Sequence, residues 1–167
     1  MPRKNIILCG FMGCGKTTVG KELAWRIFSD FIDTDERVEQ TAGISIPDIF
    51  LNKGEGVFRA LETDILRQVT QDSGQVISVG GGAFMRPENV ELAKSCGKII
   101  FLNTSFDLCY SRIEASDRPL IKKHSREEIE QLYNERLPIY RAAADFEVFN
   151  QHTPKDAAKA ILTSLFI

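Results

Sequence analysis

Eight consecutive residues, Gly10-Phe11-Met12-Gly13-Cys14-Gly15-Lys16-Thr17, have the types and spacing needed to hold a polyphosphate. Glycine, four residues, then Gly-Lys-Thr is the P-loop pattern. Backbone N–H groups at a helix start lack intrahelical partners and can wrap phosphate oxygens, and the helix macrodipole favours the negative charge. Gly13, Cys14, Gly15 and Thr18 fall in that stretch. Lys16 is expected to reach the β- and γ-phosphates, and the Thr17 hydroxyl to ligate Mg²⁺. Cys14 reads as a loop filler.

Asp33 and Asp35 stand two apart at the end of the strand-like run Phe31–Asp35, which turns both to one side of a strand. One can hold Mg²⁺ and the other can accept a hydroxyl's proton or hydrogen bond. Arg136 follows Ile129 by seven residues and shares a helical face with Leu132, Tyr133 and Tyr140; Arg59 stands in line with Leu66 by the same step. Two arginines on apolar stripes each need an anion, because a guanidinium stays ionised and an unpaired buried charge is costly. Glu62 can satisfy Arg59 as an intrahelical pair, which leaves Arg136 without a local partner; a bound carboxylate gripped by both forks suits the two together.

Gly80-Gly81-Gly82 ends the apolar run Gln75–Val79, where many P-loop enzymes carry an acidic residue. With no acid there, the Mg²⁺ carboxylate must come from elsewhere, and Asp33 is the nearest candidate. The glycines are expected to let a substrate ring lie against bare backbone. Asp117 to His124 reads as a loop able to close as a lid, with Arg118 available to stabilise a transferring phosphoryl. Arg112 can stack on an adenine face. His124 and His152 have no spaced partners, and Asn52-Lys53-Gly54-Glu55 lacks the aspartate of a guanine-specificity motif.

The elements that must position these groups alternate along the chain. Strand-like runs at Asn5–Cys9, Phe31–Asp35, Gln75–Val79, Lys98–Asn103 and Phe146–Phe149 are separated by helical patterns. Helices are expected after Lys16, from Ser45 or Pro47 towards Asn52, along the stripe Phe58, Leu61, Ile65, Leu66 and Val69, and from Pro87 to about Ser95. Thr104 or Ser105 is expected to cap a further helix, Ser125 to Glu128 to form a capping box for a long one reaching about Ala144, and Pro154 to open the last. Five short strands with helices between them predict an α/β three-layer sandwich around a five-stranded parallel sheet. Ligands of such sheets bind beyond the carboxyl ends of the strands, so the P-loop, the Asp33–Asp35 corner and the triple glycine should share one cleft.

Composition narrows the partners. A chain of 167 residues has the size of one domain. A net charge of −2 gives no electrostatic footprint for nucleic acid or an anionic membrane. Cys9, Cys14, Cys96 and Cys109 form neither a CxxC pair nor a disulfide framework, which suits a reducing compartment. The first apolar run is too short for a signal peptide or a membrane span, so a cytoplasmic location is expected. The expected partners are ATP and a small-molecule acceptor rather than a second chain, so a monomer is the expectation.

Taken together, the chain resembles the shikimate kinases. The resemblance covers nearly the whole chain and is carried by Gly10–Thr17, Asp33-Thr34-Asp35, Phe58-Arg59-Ala60-Leu61-Glu62, Gly80–Gly82, Arg118-Pro119-Leu120 and Arg136-Leu137-Pro138-Ile139-Tyr140. It implies a single P-loop kinase domain over 1–167 of the nucleoside-monophosphate-kinase type, with a shikimate-binding region at 33–62 and a mobile lid at 117–124. The implied activity is transfer of the ATP γ-phosphoryl to shikimate, giving shikimate 3-phosphate. By the same resemblance Lys16, Asp35 and Arg118 are catalytic, and Thr17 and Asp33 hold Mg²⁺. Asp35, Arg59, Gly81, Gly82 and Arg136 hold shikimate, and Arg112 with the Thr153-Pro154 turn flanks adenine. Ile121 stands where the family often has leucine. Two other readings remain open at this point: a gluconate or nucleotide kinase of the same fold, and a non-catalytic nucleotide-binding module.

Overall fold

Strand β1 (Asn5–Cys9) is buried along its whole length, as its unbroken apolar run requires of a central parallel strand. In the computed structural model, which describes residues 4–166, it lies between β3 (Val76–Ser78) and β4 (Gly97–Asn103). The ends of the expected domain, residues 1–3 and 167, lie outside the described residues. Strands β2 (Phe31–Asp33) and β5 (Phe146–Phe149) complete a sheet of order β2-β3-β1-β4-β5 in which every pairing is parallel. The register aligns Asp33 with Ser78, Leu8 with Ser78, and Cys9 with Phe101. The carboxyl ends of β2, β3 and β1 therefore stop at one level, and the segments leaving them emerge side by side.

Helices cover the sheet. Helix α1 (Lys16–Ile27) packs with α9 (Pro154–Leu165), while α4 (Glu55–Val69) packs with α5 (Pro87–Cys96), which leans on β4. Helix α6 (Phe106–Ile113) follows β4, and α8 (Arg126–Ala143) opens with the expected capping box between Ser125 and Glu128. A second capping box, Thr153 with Asp156, opens α9. No described helix is long and apolar enough to cross a membrane.

Three local expectations need correction. The run Phe31–Asp35 is not one strand: β2 stops at Asp33, and α2 (Thr34–Ala42) begins at once. The Asp33 side chain caps it by accepting from Asp35 N, Asp35 and Glu36 complement the helix dipole, and Gly43 closes it in the left-handed conformation. Helix α3 (Ile46–Lys53) follows, capped by Ser45 as expected. The segment after Asp117 is not wholly loop, since Pro119–Lys123 form the single-turn helix α7 with Pro119 in its first turn. Ser105 occupies the position before α6 without a side-chain cap, because Thr104 is turned towards the P-loop instead.

Candidate active site

The P-loop spans the turn from β1 into α1, with Gly15 before the helix at φ 99°, a left-handed value that favours glycine. The loop is tied down from behind. Thr104 Oγ1 donates to the Cys14 carbonyl at 2.9 Å and Asn150 Nδ2 donates to the same oxygen at 2.8 Å. Arg112 Nη1 holds the Gly13 carbonyl at 2.9 Å. Lys16 Nζ is turned into the loop, onto Gly10 O at 2.8 Å and Phe11 O at 3.1 Å. A phosphate reaching this loop has to compete with those two carbonyls for the ammonium.

Asp33 links the loop to the next strand. Its Oδ2 accepts from Thr17 Oγ1 at 2.8 Å and its Oδ1 from Asp35 N at 3.0 Å. Asp33 and Asp35 thus meet the cleft because one caps a helix and the other sits in its first turn, not through strand alternation. Asp35 Oδ1 is shielded from solvent without a hydrogen-bond partner among the described residues. Burial, followed by the negative charges of Asp33 and Glu62, pushes its carboxyl up to about 6, against the pull of Lys16 and Arg118.

The triple glycine is crowded by side chains at two of its positions. A Cβ on Gly80 would lie 2.6 Å from Glu62 Oε2 and 2.8 Å from Asp35 Oδ1, so two carboxylates close on this one α-carbon. A Cβ on Gly82 would lie 2.6–2.9 Å from the Arg59 guanidinium. Bare backbone at these two positions admits the protein's own charged side chains. Gly81 faces Met12 and Arg136.

The two arginines converge. Arg59 pairs with Glu62 at 2.8 Å and with Glu55 at 3.5 Å, and its guanidinium stands 5.0 Å from the Phe58 ring centroid. Glu62 is 1% exposed, and burial raises its pKa against the charges of Arg59, Arg136 and Arg86. Arg136 is 8% exposed and has no acidic partner among the described residues; its Nε is buried without an acceptor. Its guanidinium stands 6.0 Å from the Phe11 ring centroid, and that ring meets Tyr133 edge-on. Phe11, inside the P-loop, thus supports an arginine of the neighbouring cavity.

Two cavities of about 450 Å³ each lie along this edge of the sheet. The first follows the P-loop and contains Gly13, Gly15, Lys16, Thr17, Thr18, Arg112 and Pro154. The second contains Arg59, Glu62, Arg136 and all three glycines, with Phe50, Phe58 and Leu120 giving it an apolar side. Met12, Thr17, Asp33, Asp35, Gly81 and Arg118 line both, so they form the wall between them.

Cys14, singled out from sequence, is outside both linings: it is 1% exposed, and its N–H donates to Phe11 O at 3.1 Å. Sequence reasoning passed over Asn150 and gave no site role to His152, both of which line the first cavity, and read Thr104, which anchors its floor, only as a helix cap. Nothing in their spacing marks them; the Thr104 and Asn150 contacts with Cys14 span 90 and 136 residues.

The comparisons agree with this geometry. A family model described as Shikimate kinase matches residues 12–166. A shikimate kinase of Thermodesulfovibrio yellowstonii is 39% identical over 162 residues, covering 95% of this chain and 93% of that protein. Among solved structures, a shikimate kinase from Acinetobacter baumannii in complex with shikimate superposes with TM-score 0.93 at 36% identity, covering 98% of this chain and 93% of that one. A gluconokinase from Sinorhizobium meliloti, at TM-score 0.60 and 19% identity over 97% of this chain and 91% of its own, shares the fold alone. Five parallel strands, a nucleotide-type loop and an adjoining cationic cavity are thus accompanied by likeness along nearly the full length, and the chain belongs to the shikimate kinase family.

Proposed function

We propose that this phosphotransferase moves the γ-phosphoryl of ATP onto shikimate, giving shikimate 3-phosphate, across the wall that its two cavities share. The observation that carries the reading is Arg136, a buried cation with no acidic partner among the described residues, facing the same cavity as Arg59 and next to the P-loop. A small hydroxylated carboxylic acid fits that cavity: its carboxylate meets Arg59 and Arg136, and its hydroxyls meet Asp35 and the Gly81–Gly82 backbone. The region 33–62 and Arg136 supply this acceptor side.

ATP takes the first cavity, with its phosphates on the N–H groups that Gly13, Gly15, Lys16, Thr17 and Thr18 present. Its base lies between Arg112 and Pro154. Lys16 exchanges its loop carbonyls for phosphate oxygens. The acceptor oxygen attacks the γ-phosphorus in line, the bond to the β–γ bridging oxygen breaks, and the hydroxyl proton passes to Asp35. Arg118, exposed and without a partner among the described residues, offsets charge on the moving phosphoryl. Segment 117–124 closes over it as a lid.

Thr17 and Asp33 form a pair of hard oxygen donors beside the loop, 2.8 Å apart, and these two residues would hold Mg²⁺. Such an ion would supply positive charge to offset that of the nucleotide's phosphates. On this reading the protein is a monomer. Four free cysteines suit the cytoplasm.

A coupled ADP-release assay with shikimate, gluconate and nucleoside monophosphates tests the reading. Turnover is expected with shikimate; turnover with either of the others and none with shikimate would overturn it.

A further inference from the structure

Helix α8 carries Arg136 between two buried tyrosines, each of which donates its hydroxyl to a different backbone carbonyl. Tyr133, three residues before Arg136, donates to the Thr104 carbonyl at 2.7 Å, behind the P-loop. Tyr140, four residues after it on the same helical face, donates to the Gly81 carbonyl. The Tyr140 ring is 1% exposed and stacks at a tilt on Phe101 of the sheet, with centroids 5.3 Å apart. Burial raises its phenol pKa well above the usual range, so the hydroxyl keeps its proton and remains a donor.

The Gly81 carbonyl and the Gly82 N–H belong to one planar trans peptide and point in opposite directions. A hydroxyl that draws the carbonyl towards α8 turns the N–H away from it. Neither the Gly81 nor the Gly82 N–H has an acceptor among the described residues, and both glycines line the acceptor cavity. Arg136 comes close to the same turn, since its Nη1 lies 3.8 Å from where a Gly81 Cβ would stand.

We infer that Tyr140 is a positioning residue for the acceptor: its hydroxyl locks the Gly81–Gly82 peptide to the helix that bears Arg136, so that backbone donor and guanidinium keep one spacing. This role rests on the reading of the second cavity as the shikimate site. Mere filling of the core would need the ring alone, and the ring survives in Tyr140→Phe.

The test is Tyr140→Phe in the full chain, with steady-state kinetics for both substrates, the melting temperature, and amide exchange at Gly81 and Gly82 without substrates. The shikimate KM is expected to rise about three- to tenfold, the range of one neutral hydrogen bond. The ATP KM should stay unchanged, and exchange at the two glycines should quicken. An unchanged shikimate KM, or an equal rise in both KM values, would overturn the role whatever the melting temperature does. A wild-type chain that does not turn over shikimate overturns the cavity reading and this role with it, whereas a failure confined to the variant's kinetics overturns the tyrosine alone.

Discussion

Arg59 and Arg136 enter one cavity on different terms: Arg59 is hydrogen-bonded to Glu62 at 2.8 Å, whereas Arg136 has no ion pair among the described residues and feels Glu62 only as a nearby charge. Removing them should therefore have different consequences. Arg136→Ala deletes a buried charge that has no hydrogen-bonded acid, so it should cost less thermal stability than Arg59→Ala while weakening shikimate by about 2–4 kcal/mol. Arg59→Ala leaves Glu62 buried and unpaired, so it should lower both affinity and melting temperature. Melting curves of the two variants beside their shikimate KM values check the contrast; equal losses of stability would contradict it.

As the proposed base, Asp35 would couple catalysis to pH. Its carboxyl, pushed up to about 6 from an ordinary 3.8, holds a proton more tightly in the folded chain than in the unfolded one. Its contribution to stability is therefore full below about pH 4 and lost as pH rises through about 6. Asp35→Asn should raise the melting temperature near pH 8, corresponding to on the order of 1–3 kcal/mol, and change it little near pH 4. The same substitution should cripple kcat and spare ATP affinity. In the wild type, kcat/KM for shikimate should fall as Asp35 protonates below about pH 6. A flat profile through that window would remove Asp35 as the base.

Gly82→Ala tests why glycine stands there. The added methyl would meet the Arg59 guanidinium at 2.6–2.9 Å, the far end of a flexible side chain that can move aside. The fold should survive with a melting temperature close to wild type, while the shikimate KM rises on the order of tenfold as Arg59 leaves its place. A KM unchanged by the methyl would mean that Arg59 does not contact the acceptor.

Thr104→Val is nearly isosteric and deletes the hydroxyl that ties Cys14 O and Asn150 O, at 2.9 and 3.2 Å. A loss of about 1–3 kcal/mol of stability is expected. The ATP KM should rise and the shikimate KM should hold, since the tie lies behind the P-loop and away from Arg136. Kinetics with each substrate varied in turn separate the two.

Much of this was legible in the chain because the signals are local. The P-loop, the capping box at Ser125 and the alternation of apolar runs each lie within a few residues, and all five strands fall where those runs occur. Arg136 was legible for a different reason: a cation on an apolar stripe with no acid in reach stands out. Helix α2 was hidden because Asp33 through Glu36 reads equally as a strand end or as a cap followed by an acidic first turn. The crowding of the glycine triplet was not legible, since it comes from Asp35, Arg59 and Glu62, which no short window joins. Thr104, Asn150 and Tyr140 act through contacts spanning 59 to 136 residues, and such partners are set by the sheet order.

A crystal structure with ADP, Mg²⁺ and shikimate together measures the account at its centre. It should show the shikimate carboxylate between the guanidinium groups of Arg59 and Arg136, and a ring hydroxyl against Asp35 on the side facing the P-loop. A carboxylate turned to solvent or to Lys16, with Arg136 still lacking an anion, would contradict it.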